Sequence, residues 1–188
     1  TSSRTTEQNG EPMPQQPMTF EAYTVDRFIE VVKAWVGHSW PITATEAQRV
    51  YESLGYAADP GDTEMFASPF AKGKADSYYV TVKDRVSTVD IAVARPCDAG
   101  EEKESAAAIA AAYTAYSHAI DCHYENMIRS SRPRDRSTAW TFDNDVDLNL
   151  SVWNRSLSVR IRSPYMTQLR REEEAIGLTD YDDILEDD

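Results

Sequence analysis

Three histidines, two cysteines and several carboxylate runs are the residues of this chain best suited to chemistry. Cys122 and His123 stand side by side in "DCHYE" (121–125), but adjacent residues on a helix point in different directions. A Cys–His nucleophile would need an imidazole from elsewhere in the fold, and His38 in "GHSW" is the remaining choice. His118 and His123 are five apart, not the four that place two imidazoles on one metal. In "DNDVD", Asp143, Asp145 and Asp147 are spaced as in a calcium loop. Such a loop needs Gly at its sixth position and Glu at its twelfth, and those places hold Leu148 and Asn154. A polar turn between two strands is the better reading. No Gly-rich phosphate cradle, G-x-S-x-G or H-E-x-x-H occurs. Catalysis, a bound metal and a cofactor are therefore not expected.

Residues suited to gripping another molecule are easier to find. "RSSRPRDR" (129–136) carries four arginines in eight residues. It reads as a solvated loop after a helix, whose cations suit the helix C-terminus, or as an anion site. "DYDDILEDD" (180–188) has six carboxylates in nine residues, and no basic residue follows Arg171. The excess begins inside a helix, at Glu172, Glu173 and Glu174, where the dipole disfavours anions by ~0.3–1 kcal/mol. Tyr181, Ile184 and Leu185 interrupt the run, which suits a segment that docks on its own body or on a partner. Alternation along its strand puts Trp153 on a polar sheet face beside a turn, with Tyr79 and Arg160 as expected neighbours. An aromatic near an arginine is a common contact anchor. The partner-binding residues expected are thus Asp180, Asp182, Asp183, Glu186 and Asp187, with Tyr181 and Trp153.

Four helices and about six strands must position these groups. Phe28, Val31, Val32, Trp35 and Val36 form one helical stripe, and Gly37 stops it. "TATE" (43–46) is a capping box for a second helix that turns Ala47, Val50, Tyr51 and Leu54 inward. "ADPGD" (58–62) then reads as a turn, and "FASPF" (66–70) as a weak strand. Tyr78, Val80 and Val82 alternate with Tyr79, Thr81 and Lys83 and predict a strand with the first set inward. Val89, Ile91 and Val93 predict the next strand. Glu101–Arg129 reads as a long helix with Ile109, Tyr113, Tyr116, Ile120, Tyr124 and Met127 in its stripe. Its "AAAIAAA" run would allow close approach to a sheet. Three more strands follow around Trp140, Leu148–Val152 and Leu157–Ile161. Ser163 and Pro164 open a last helix that Gly177 ends.

"VKDRVSTVDI" (82–91) and "VWNRSLSVRI" (152–161) echo each other at a spacing of 70 residues. Two helix-plus-meander halves in one sheet would explain the echo, and so would two hairpins sharing an Asp/Asn turn. The expected fold is α+β: an antiparallel sheet of about six strands built from two such halves, with the long Ala-rich helix on one face. Residues 1–17 read as a polar lead-in, 18–178 as a single domain and 179–188 as an acidic C-terminal tail.

The net charge is −13 over 188 residues, with 32 carboxylates against 19 Lys and Arg. Phosphate ligands demand a basic footprint, so nucleic acid is not an expected partner, and neither is an anionic membrane. A basic protein partner, steered by charge, is expected instead. No stretch suits a membrane span or a signal peptide, which points to the cytoplasm. Cys97 and Cys122 form no disulfide framework, and two reduced, half-buried thiols are expected.

"WPIT" (40–43) and "AQRVYESLGY" (47–56) resemble the opening helices of small acidic actinobacterial domains of unknown function encoded beside secreted polymorphic toxins. That resemblance implies an immunity protein or toxin inhibitor whose carboxylates occupy a basic active-site cleft. The order of helices and meanders also resembles type III secretion chaperones, and implies a binding protein for a secreted partner as the alternative.

Overall fold

The structure is a computed structural model that describes residues 20–177. Four helices, α1 (Val25–Val36), α2 (Ala44–Ser53), α3 (Glu102–His123) and α4 (Pro164–Ala175), accompany ten strands. Eight strands make one antiparallel sheet: β2 (Ala57–Asp59), β3 (Asp62–Ala67), β4 (Ser77–Val82), β5 (Arg85–Ile91), β7 (Ile128–Pro133), β8 (Ser137–Phe142), β9 (Asp147–Val152) and β10 (Leu157–Arg162). The short β1 (Glu21–Ala22) and β6 (Ala94–Arg95) pair separately.

The order across the sheet is β2-β3-β4-β5-β10-β9-β8-β7. Each half is a four-stranded meander, and the two meet at β5 and β10. The 70-residue echo acquires a geometric meaning at that seam. Asp90 lies opposite Arg160, Val89 opposite Ile161 and Ile91 opposite Val159. Asp90 thus pairs with its own counterpart 70 positions on, so a local twofold passes between them. Arg160 Nη2 lies 3.3 Å from Asp90 Oδ2 at that centre.

The sheet has eight strands where about six were expected. The two missed strands, β2 and β7, are its edges. An edge strand need not alternate apolar with polar, and charged or Pro residues on it block unwanted pairing. β7 is "IRSSRP", the stretch read as an arginine-rich loop, and its Arg132 and Pro133 pair with Ala139 and Thr138. β2 has three residues and shares the "DPGD" turn with β3.

α2 and α4 start for the reasons read from the sequence, and α1 has a cap that the sequence reading did not name. Thr24 caps α1, the Thr43–Glu46 capping box opens α2 and Ser163 caps α4 ahead of Pro164. Phe28, Val31, Val32, Trp35 and Val36 are fully buried against the sheet and α3. Phe28 stacks on Tyr116 of α3 with ring centroids 3.9 Å apart. Several core aromatics find partners for their polar tips, as burial favours, whereas Trp35 Nε1 and Tyr124 Oη are buried with no hydrogen-bond partner among the described residues. Tyr116 Oη donates to the Tyr23 carbonyl at 2.6 Å, and Trp140 Nε1 donates to Asp121 Oδ1 at 2.9 Å.

Three further expectations are corrected. On β4 the buried face carries Tyr79, while Val80 and Val82 are exposed on the other. The cause is register: Tyr79 lies opposite the core residue Val89, and a bulge follows at Val80/Thr81. α3 ends at His123, so Met127 is exposed and Arg129 belongs to β7. Most of its alanine run faces outward, and Ile109 alone of "AAAIAAA" is buried. The thiols are not half-buried alike, since Cys97 is buried and Cys122 exposed; both are free.

Candidate protein-binding surface

Asp180, Tyr181, Asp182, Asp183, Glu186 and Asp187 lie outside the described residues. Trp153 is described. It stands in the β9–β10 turn with 53% of its surface exposed, the most exposed aromatic side chain described. Tyr79, its expected neighbour, is in the core on the opposite face. What holds the indole is Ser158: Trp153 Nε1 donates to Ser158 Oγ at 2.7 Å. Ser158 alternates with buried Leu157 and Val159, so it shares the second sheet face with Arg160. The indole is therefore fixed at one end while its apolar body stays in solvent.

The hairpin tip is stapled to the chain entering α3. Cys97 N donates to the Arg155 carbonyl at 2.9 Å, and Arg155 Nε donates to the Cys97 carbonyl at 2.8 Å. Arg136 Nη2 reaches Asn154 Oδ1 at 3.1 Å, and Val152 N bonds the Arg136 carbonyl at 2.7 Å. These bonds bring Trp153 against the first turns of α3. Between them lies a shallow cavity of about 270 Å³, walled by Ala106, Ile109 and Ala110 on the helix and Val152 and Trp153 on the hairpin.

The charged residues that line the cavity are Glu102, Lys103 and Arg136, and further carboxylates lie close by in sequence. Asp98, Glu101, Glu102 and Glu104 fall within seven residues around the start of α3, with Lys103 among them. Backbone amides of Glu102 itself and of Gly100 hold the Glu102 carboxyl below the usual range, with Arg155 nearby. Burial of one oxygen pushes the Glu101 carboxyl up, and repulsion from Asp98 and Glu104 adds to it. The dipole explains why acids belong here. It does not require an exposed tryptophan beside them.

The other motifs are absorbed by the fold. Arg129 and Arg132 of "RSSRPRDR" and the aspartates of "DNDVD" interlock at one end of the sheet. Arg129 bonds Asp145, and Arg132 Nη2 lies 3.0 Å from Asp147 Oδ2. α4 joins them through Arg170, 2.5 Å from Asp147 Oδ2, and Arg171, 3.0 Å from Asp145 Oδ1. Asp145 takes φ +67, so the reading of a polar turn between strands holds. No cluster of three metal-ligating side chains occurs among the described residues.

One pairing escaped the sequence reading. Cys122 Sγ lies 3.4 Å from His118 Nε2, four residues earlier and not the adjacent His123. The signal was the i, i+4 spacing that brings two side chains onto one helix face. The pair is exposed on the outer side of α3, and no third group among the described residues orients the imidazole.

Fold and surface together define an α+β protein with three helices on one face of a twofold-like sheet and an acidic, aromatic corner at a hairpin tip. Residues 26–163 match the family of unknown function DUF6301, and the chain belongs to that family. The match runs from the first turn of α1 to the cap of α4. No curated protein and no solved structure matches the chain. No helix among the described residues is long and apolar enough to cross a membrane.

Proposed function

We propose that this chain is an immunity-type inhibitor that binds and neutralises a basic toxin domain. The observation that carries the reading is Trp153, fixed to Ser158 yet 53% exposed, beside the carboxylates at the start of α3. Binding anchors are enriched in tryptophan, and charge around an anchor sets encounter rate and choice of partner. Asp180, Tyr181, Asp182, Asp183, Glu186 and Asp187 extend the acidic surface in sequence. Against a cleft that accepts phosphate, such carboxylates occupy the phosphate positions. The proposal includes no catalysis and no cofactor, and places the protein in the cytoplasm.

The test is calorimetric binding to the product of the neighbouring gene. Trp153→Ala should weaken binding about 30-fold, the ~2 kcal/mol that marks a hot spot. Its stability should change by less than ~0.5 kcal/mol, as for other exposed positions. Equal affinity in the variant and the original would remove Trp153 from the interface.

One observation favours the second reading, a chaperone-like binding protein for a secreted partner. Val80 and Val82 are exposed together on the second sheet face. A partner lying along the sheet would cover them, and Trp153→Ala would then leave binding intact while Val80→Asp abolished it.

A further inference from the structure

A second groove lies at the opposite end of β4. Its floor is the β4–β5 turn, and its walls are the Trp40–Pro41 segment and the first turns of α4. Val86 N donates to the Ile42 carbonyl at 2.8 Å and fixes one wall. Ser163 N donates to the Ser87 carbonyl at 2.9 Å and fixes the other. Trp40 Nε1 is tied to the Trp35 carbonyl at 3.0 Å, so the indole is held in place. The volume is about 380 Å³, and the apolar lining comes from Trp40, Pro41, Val82 and Tyr165. Val82 and Tyr165 are 39% and 51% exposed.

Two cations stand at its mouth. Lys83 and Arg85 flank Asp84 in the turn, and neither is in an ion pair with a described residue; Arg85 donates to the Asp84 carbonyl. Arg129, Arg132, Arg170 and Arg171 all hold carboxylates. In a chain with 13 excess negative charges, a mouth with two such cations over an apolar floor calls for an anionic, partly apolar occupant.

We propose that the occupant is residues 178–188 of this same chain. That segment combines Tyr181, Ile184 and Leu185 with six carboxylates, which matches the groove in both apolar content and charge. Its reach suffices. α4 has 12 residues, so it climbs about 18 Å from the groove. The eleven residues after Gly177 span up to roughly 36 Å when extended. Tethering supplies an effective concentration on the order of millimolar, so a weak contact is enough. The stretch at 129–136 is the poorer site, because Arg129, Arg132 and Arg136 already bond the body of the protein. In the free chain the segment would then rest on its own groove, and a more basic partner surface would compete it away. The inference concerns the isolated chain and stands whether or not the partner is a toxin.

The test compares amide spectra of the intact chain and of its Ile184→Ser, Leu185→Ser variant, which leaves the described fold untouched. Shifts should concentrate at Lys83–Ser87 and Tyr165–Gln168. A synthetic peptide of residues 178–188 added to that variant should restore the original positions. The same peptide should bind at least tenfold more weakly when the variant also carries Lys83→Glu and Arg85→Glu. Shifts confined to 129–136, or no shifts, would overturn the proposal. A concentration-dependent change with doubled mass by light scattering would also overturn it, in favour of a second copy as occupant.

Discussion

Replacing Trp140 by alanine should destabilise the protein by about 3–5 kcal/mol, as removal of a fully buried aromatic does. Trp140 has no exposed surface and sits mid-strand in β8, opposite Ser131 and the core residue Leu148. Two effects accompany its loss, and their sizes differ. The hydrogen bond to Asp121 disappears, but Asp121 is exposed and water replaces the donor, so this costs little. The cavity left between α3 and the sheet does most of the damage. For a chain of this size each kcal/mol moves Tm by roughly 2–4 °C, so a drop of about 6–20 °C is expected. Trp140→Phe should recover most of it. A loss below ~1 kcal/mol in urea denaturation of Trp140→Ala would mean that the packing of α3 on β8 and β9 is wrong.

The second large effect belongs to Asp147. Its side chain is 3% exposed and takes both Arg132 and Arg170, the latter 16% exposed. Asp147→Ala leaves Arg170 facing the sheet with no carboxylate among the described residues beyond a distant contact to Glu174 at 3.8 Å. Breaking a buried pair from one side costs about 3–5 kcal/mol, and the exposure of Arg132 puts this case at the lower end. α4 should loosen first, which limited proteolysis near residues 164–175 would report. Uniform protection of α4 in Asp147→Ala would contradict the clasp.

The same clasp sets an acid limb. Burial opposes ionisation of Asp145, but the hydrogen bonds and charges of Arg129 and Arg171 outweigh it and hold the carboxyl below the usual range. A depressed folded value means stabilisation that is complete above the unfolded value of about 3.9 and is lost as pH falls through the folded one. Asp90 has the opposite sign. Burial lifts its carboxyl above the usual range and Arg160 offsets this only in part, so its contribution eases as pH falls. Asp145→Asn should therefore flatten the loss of stability below pH ~4, followed by urea midpoints at several pH values.

The features read correctly from sequence are those that local chemistry decides. A capping box, an N-cap before Pro164 and apolar stripes at helical spacing need no tertiary context. Five strands with clear alternation were legible for the same reason, while the weak strand placed at Phe66–Phe70 overlaps β3 only at Phe66 and Ala67. The edges β2 and β7 were not, because an edge strand is specified by its neighbour and by the need to avoid further pairing. The inward face of β4 was misread because Tyr78, Tyr79 and Val80 are all acceptable inside. The pairing of Tyr79 with Val89 chose among them. Alternation did place Trp153 on the open face, yet its corner with α3 depends on the bonds between Arg155 and Cys97, which no local pattern announces.

The most direct test of the proposed function is the affinity of the intact chain for the product of the neighbouring gene, measured at low and at physiological salt, with and without residues 179–188. The account predicts tight binding at low salt that weakens as salt rises, and a clear loss of affinity on deletion. A truncated chain that binds as tightly as the intact one at low salt, or an intact chain that does not bind, would contradict it.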